Sequence, residues 1–472
     1  MRRVACAAAA ACLLCAPVVL AFFSGGYFAQ PRLVAAIVIW ALLVVLALTG
    51  PAPVPSGRGG VVAVAGMAWL TVVTAASLGW APLGGPAAEA LQRLLLYLGA
   101  LLLALGALRE PRLRRPVEPV LAAGATLVVG YGLAGRLLPG IVDLARSRSA
   151  GGRLEQPLTY WNAMGLLAAI GLVLCARLAG DRSRPRFMRV AAAAAAAPLG
   201  AGTYLSYSRG AIAVGLLGLG ILVAAAPERA QVRASALALV TALAATGVAA
   251  AFPGVASLEG AHPIRDGALA LVGLVAIAGA AAGLMARWSR MASDSPLRRP
   301  HRVTVAITAA TALVAAGLVV AGVGERPTAR ELAAGAGAQR LTTASSNRYE
   351  YWRVGLDAFA GEPLLGVGAG GFRVEWLRER RISETVKDTH SLEVELAAEL
   401  GLLGLLGLAA LVGGVAVAGR TALRRDRMVA AGPIAVLVAW ILHASIDWDW
   451  QLPAVTLPAV VLAGMVLALA EP

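Results

Sequence analysis

The chain has 472 residues, of which 59% are hydrophobic and 14% charged, with a formal net charge of +15. Soluble globular chains are about 45–50% apolar, so this composition excludes an ordinary soluble domain, and the mean hydropathy of +0.76 agrees. The basic balance does not point to nucleic acid as a partner, because no basic stretch interleaved with aromatics stands in a soluble segment. The apolar residues come in blocks of about 18–22, the length at which a helix rising ~1.5 Å per residue crosses a ~30 Å hydrocarbon core. Only helices satisfy their backbone hydrogen bonds one segment at a time in lipid. The expected fold class is therefore all-α: a polytopic membrane protein with about fourteen transmembrane helices and membrane lipid as its solvent.

In chain order the expected spans are 4–23, 32–50, 61–78, 91–108, 117–138, 158–176, 190–206, 210–226, 234–252, 267–286, 303–323, 391–418, 428–446 and 453–470. The first follows Met1-Arg2-Arg3 and resembles a signal peptide, but its long apolar run favours a retained helix. Arginines then alternate between connections. Arg109, Arg112, Arg114 and Arg115 fall in one loop, and Arg177, Arg182, Arg184, Arg186 and Arg189 in the next basic one. Further arginines stand at 287–302 and 420–427. Cytoplasmic loops collect Lys and Arg, which places the N- and C-termini in the cytoplasm. Residues 1–323 then carry eleven spans, 324–389 form one external loop, and 390–472 carry the last three.

The external loop reads as a helix from about Asn347 to Phe359, a Pro/Gly turn at Glu362–Gly371, and a second helix through Arg381. The glycines of the turn do not make a nucleotide loop, because no strand precedes them. Cys6, Cys12, Cys15 and Cys175 all lie in apolar helices without ligand spacing, so neither a metal site nor a disulfide is expected; no cofactor is expected either.

Four features can carry chemistry. Arg209 stands in Ser206-Tyr-Ser-Arg-Gly210 between two spans at the external face. It is either a snorkelling interfacial arginine or a fixed cation facing a cavity, with Tyr207 and Ser208 adding hydroxyls. Arg348 and Trp352 are four residues apart in Asn347-Arg-Tyr-Glu-Tyr-Trp-Arg353 and share a helical face. That segment, with Glu350 and Arg353, suits either a headgroup-bound surface helix or bidentate recognition of phosphate. His390 follows Asp388-Thr389 at the external mouth of a span. It is either a polar helix cap or a base for a hydroxyl, oriented by Asp388. His443 precedes Asp447-Trp-Asp-Trp450.

The segments Ser206–Gly210, Asn347–Trp352, Pro363–Phe372 and His390–Gly404 resemble the O-antigen ligase and O-antigen polymerase superfamily, with weaker likeness at Tyr160–Asn162 and His443–Trp450. The resemblance covers about residues 155–455. It implies a membrane glycosyltransferase of the C type in the cytoplasmic membrane, with its active site external and its transfer independent of metal. The donor would be a glycan on undecaprenyl diphosphate, and the acceptor a hydroxyl of a glycan or glycolipid. It implies Arg209 and Arg348 as diphosphate ligands, Arg353 as a further one, and His390 as the catalytic base. Ligase and polymerase are not separated by these motifs. The alternative from a different class is a transporter, which would show broken helices or paired repeats around midplane polar sites.

Overall fold

The computed structural model describes residues 1–50, 53–290 and 347–472, and helix is the only regular structure among them. The helices are α1 (Arg2–Ala21), α2 (Ala29–Thr49), α3 (Arg58–Ser77), α4 (Gly84–Leu108), α5 (Pro111–Arg114), α6 (Val117–Leu137), α7 (Trp161–Gly180), α8 (Arg186–Leu205) and α9 (Arg209–Ala225). They continue as α10 (Arg229–Ala251), α11 (Pro253–Ala256), α12 (Pro263–Trp288), α13 (Arg348–Gly361), α14 (Phe372–Glu379), α15 (Leu392–Arg425), α16 (Arg427–Ala444) and α17 (Pro453–Ala470).

Eleven stretches among the described residues are long and apolar enough to cross a membrane: α1–α4, α5 with α6, α7, α10, α12 and α15–α17. The protein is thus an all-helical, polytopic membrane protein. Two more of the expected fourteen spans are helices of a different grade. Helix α9 has only 17 residues, and α8 is an alanine run opened by arginines, which lowers its hydropathy. The expected span at 303–323 lies outside the described residues.

The chain divides into two compact units. The first comprises residues 1–115, 346–426 and 441–472 and holds α1–α5, α13–α15, α17 and the last turn of α16. The second comprises 116–345 and 427–440 and holds α6–α12 and the rest of α16. In the second unit α7 is buried along its length against α6, α8, α9 and α10. Its C-terminal end is tied by Arg177 to Asp181 at 3.2 Å and by Arg184 to Glu118 at 3.5 Å.

Two features of the first unit position its polar groups. Helices α3 and α15 meet backbone to backbone. A Cβ on Gly59 would lie 2.7 Å from Ala418 N, on Gly66 2.4 Å from Leu411 N, and on Gly414 2.3 Å from Ala63 N. Association in lipid lacks a hydrophobic drive and uses small residues for close approach. These glycines supply it.

The second feature is a break in α15. Gly401 has φ 62° and ψ −151°, which divides α15 into a short N-terminal segment and a long apolar one. The glycine-rich turn 363–371 fills the break. Val367 N and Gly368 N donate to the carbonyls of Ala398 and Glu399, each at 2.9 Å. Leu402 N in return donates to Pro363 O at 2.8 Å. Interrupted backbone at membrane depth is tolerated only where protein or water satisfies it, and here the protein does. The turn in turn leans on α4, where a Cβ on Gly370 would lie 2.4 Å from Pro86 Cβ.

Candidate active site

Helix α13 begins at Arg348, as the sequence leads one to expect, and with α14 it forms a small core of Tyr351, Val354, Phe372, Trp376 and Val386, with Trp352 packed against it. Glu384 fastens this core from above. It accepts from Tyr351 Oη at 2.6 Å and from Asn347 Nδ2 at 2.7 Å. Arg348 sits at the first position of the helix and donates through Nη2 to Asp447 Oδ2 at 2.6 Å. The Asp447 carboxylate is 1% exposed and the Arg348 side chain 30%. The charge-assisted bond therefore runs from a half-buried guanidinium to a buried anchor.

His390 lies in the same unit. Its backbone is left-handed, φ 56°, a region uncommon for residues other than glycine and one that clusters at functional sites. Nδ1 lies 3.1 Å from Asp388 O. A carbonyl only accepts, so Nδ1 carries the proton and Nε2 presents its lone pair. The ring stands 5.1 Å from that of Tyr351 and 6.2 Å from that of Trp448. Burial lowers the imidazole pKa below its ordinary value. Arg348 adds to the lowering, while Asp447 and the Asp388 carbonyl oppose it. The neutral, proton-accepting form is favoured. Burial pushes the Asp388 carboxyl up, against the pull of Arg93 and His390.

Immediately after His390, Ser391 caps α15 by accepting from Val394 N at 3.4 Å. Glu393 accepts from Ser391 Oγ at 3.2 Å and from Ser445 Oγ at 2.7 Å. The cap fixes where the helix begins and so where His390 points. Sequence reasoning left the polar-cap role to His390 itself; the structure gives that role to Ser391.

Arg353 and Glu350 are not brought to this place. They fall on the opposite side of α13 from Arg348, and they serve one another. Arg353 donates to Glu350 at 2.8 and 3.1 Å, to Asp357 at 2.8 Å and to Glu379 O at 2.7 Å. The bond from Arg353 holds the Glu350 carboxyl below the usual carboxylate range. This network ties α13 to the end of α14.

Arg209 belongs to the second unit, at the first position of α9. Ser208 is the N-cap, accepting from Ala211 N at 3.2 Å. Tyr207 is left-handed, φ 48°, and donates to Ala256 O at 2.9 Å. Both hydroxyls hold the turn that presents Arg209.

Sequence reasoning missed Asp447 as the partner of Arg348, and it missed the buried pair behind it. His443 Nδ1 lies 2.5 Å from Asp449 Oδ2, both side chains almost fully buried. The only signal was the clustering of His443, Asp447 and Asp449 near the start of the last span. Among the described residues no group of three His, Cys, Asp or Glu side chains is placed to hold a metal ion.

No curated protein matches the chain. Residues 264–409 match the family model described as O-Antigen ligase, a stretch that contains α13, α14, Arg348, Asp388 and His390 but neither Arg209 nor Asp447. Over that stretch, under a third of its length, the chain is similar to the O-antigen ligase family.

Proposed function

We propose that the chain transfers a glycan from undecaprenyl diphosphate to a hydroxyl acceptor at the outer face of the cytoplasmic membrane. The observation that carries this reading is a base and a cation in one unit. His390 offers Nε2, and Arg348, oriented by a buried carboxylate, acts electrostatically on it. In the proposed step the acceptor oxygen bonds to the anomeric carbon as the bond from that carbon to the diphosphate oxygen breaks. The hydroxyl proton goes to His390 Nε2, and the leaving diphosphate takes the electron pair. Its new charge is met by Arg348, whose planar fork suits phosphate oxygens. Trp352, Tyr351 and Glu384 keep the N-terminus of α13 in place. Arg209, in the other unit, is proposed as a further diphosphate ligand on its sequence motif alone. Fourteen crossings, both termini cytoplasmic and the site external are part of the same proposal.

The same chemistry serves a polymerase when the acceptor is the end of a second lipid-linked glycan. A transporter reading finds one supporting feature, the break in α15 at Gly401. Its backbone groups are satisfied by the glycine turn, which favours a structural use of the break.

The test is binding of undecaprenyl diphosphate to the full chain in nanodiscs, followed by transfer from a lipid-linked glycan. Arg348→Ala should weaken binding and reduce transfer by about 10²–10³-fold, the usual loss for one charge-stabilising donor. Unchanged binding and turnover in that variant would remove Arg348 from the site.

A further inference from the structure

Around Asp388 lies a second polar cluster that the transfer step does not use. Asp388, whose carbonyl orients His390, is acted on electrostatically by Arg93, His390, Arg373 and Lys387. Arg93 and Arg373 act on Glu395 as well. The groups acting on the buried His443–Asp449 pair are instead Asp447 and Arg348. His390 interacts with groups of both neighbourhoods.

Backbone geometry brings the second cluster together. The glycine turn rests on Pro86 of α4. Arg93 lies seven residues, two turns, further along that helix and on the same face. The turn ends at Gly371, the N-cap of α14, and Arg373 is the second residue of that helix. Glu399 is consumed by the turn, accepting from Gly370 N at 2.7 Å and Phe372 N at 3.3 Å. Glu395, one helical turn earlier, accepts from Gln451 Nε2 at 2.5 Å.

Two cations in this cluster are underused. Arg93 is 8% exposed, and its Nε has no hydrogen-bond partner. The buried Nε of Arg373 has none either. A buried donor without a partner is costly, and each one calls for an explanation. The charges nearly cancel: Arg93 and Arg373 against Asp388 and Glu395. A phosphate would meet the carboxylates, and a metal cation would meet the arginines. A neutral ring bearing hydroxyls matches both, because each hydroxyl accepts from a guanidinium and donates to a carboxylate.

We infer that Arg93, Arg373, Asp388 and Glu395 form a subsite for a sugar ring of the acceptor, which rests on the glycosyl-transfer reading above. The diphosphate sits at Arg348, the attacking hydroxyl meets His390 Nε2, and the rest of the acceptor ring extends into this cluster.

The test uses the full chain in nanodiscs, with labelled lipid-linked glycan and membrane glycolipid, both extracted from the cells the chain comes from, varied separately. Arg93→Gln and Glu395→Gln should each raise the acceptor concentration for half-maximal rate by about ten- to a hundredfold, the usual loss for a hydrogen bond to a charged group. Half-saturation by donor, and binding of bare undecaprenyl diphosphate, should stay within about twofold of the wild type. Arg93→Lys should recover part of the loss. A rise in donor half-saturation instead would assign the ring to the donor and overturn the inference. Lower turnover with neither half-saturation moved would make the cluster structural and overturn it too. Should Arg93→Gln fail to fold, Glu395→Gln, nearly isosteric, decides alone. A wild-type protein that binds bare undecaprenyl diphosphate and never transfers refutes the enzymatic reading itself. Loss of transfer only in the variants bears on the subsite.

Discussion

Replacing His390 is the most discriminating perturbation, provided that its backbone is respected. At φ 56° any residue with a Cβ bears left-handed strain, and alanine tolerates that region less well than histidine, so His390→Ala mixes chemistry with folding. Asparagine tolerates that region, so His390→Asn removes the base and keeps the turn. A positioned general base contributes about 10²–10⁴-fold, or roughly 3–5 kcal/mol of barrier. His390→Asn should lose turnover by that factor and retain undecaprenyl diphosphate binding within about twofold, because Arg348 and Asp447 remain. The pH profile gives an independent reading. Burial and Arg348 lower the imidazole pKa, and only the neutral ring accepts a proton. Transfer should therefore be flat near neutrality and fall as pH drops through a midpoint below ~6.5. That limb should vanish in His390→Asn. The unfolded chain, with the higher pKa, binds more protons, so acid also removes folding stability as pH falls through the unfolded value. Thermal midpoints must be recorded at each pH to separate the two effects. A variant with turnover within tenfold of the wild type, or one that loses lipid binding while turnover per bound complex is kept, would refute the base assignment.

Arg348→Lys should behave nearly as badly as Arg348→Ala in binding undecaprenyl diphosphate, because an ammonium keeps the charge and loses the planar fork; near-complete rescue by lysine would mean that charge alone matters there. In a background with Cys6, Cys12, Cys15 and Cys175 replaced, single cysteines at the exposed positions Arg115 and Arg420 should label only after the membrane is opened, and one at Leu377, 61% exposed, in intact cells. Labelling of the first two from outside would invert the topology.

Spans were legible because each is a local property: about twenty apolar residues and an arginine-bearing loop specify a crossing without reference to anything distant. Errors arose where composition and geometry part. The fourth span was expected from 91, whereas α4 begins at Gly84, and its first turn packs against the glycine turn. Arg348 and His390 stood out as candidates in the sequence because short motifs carry them. Asp447 did not, since it meets Arg348 across 99 residues of sequence, and an Asp beside tryptophans at a membrane boundary has many uses. Arg93 looked like one more arginine near a helix start. Its burial and its unpartnered Nε are visible only once the chain is folded.

The break in α15 is the deepest of these nonlocal features, and it can be tested by itself. Glycine inside an apolar run of Leu and Gly gives no warning, because glycine is tolerated in membrane helices. The glycine turn likewise reads as a plain surface turn. Each explains the other. Gly401 leaves the helical region at φ 62°, ψ −151°, and a Cβ there would lie 2.4 Å from Leu364 O, a backbone atom. Alanine at 401 would carry about 1–3 kcal/mol of backbone strain and force the turn away. The bonds from Leu402 N to Pro363 O and from Gly368 N to Glu399 O would be lost, at about 0.5–1.5 kcal/mol each. A combined loss on the order of 3 kcal/mol follows. Gly413 of the same helix is the control. A Cβ there meets nothing within 4 Å, so Gly413→Ala should be neutral or stabilising by up to ~1 kcal/mol. Thermal midpoints of the two variants in detergent should therefore diverge, and only Gly401→Ala should also weaken transfer, by releasing Glu399 and with it Arg373. Equal midpoints would mean that α15 runs through Gly401 unbroken, and the acceptor subsite built on that break would fall with it.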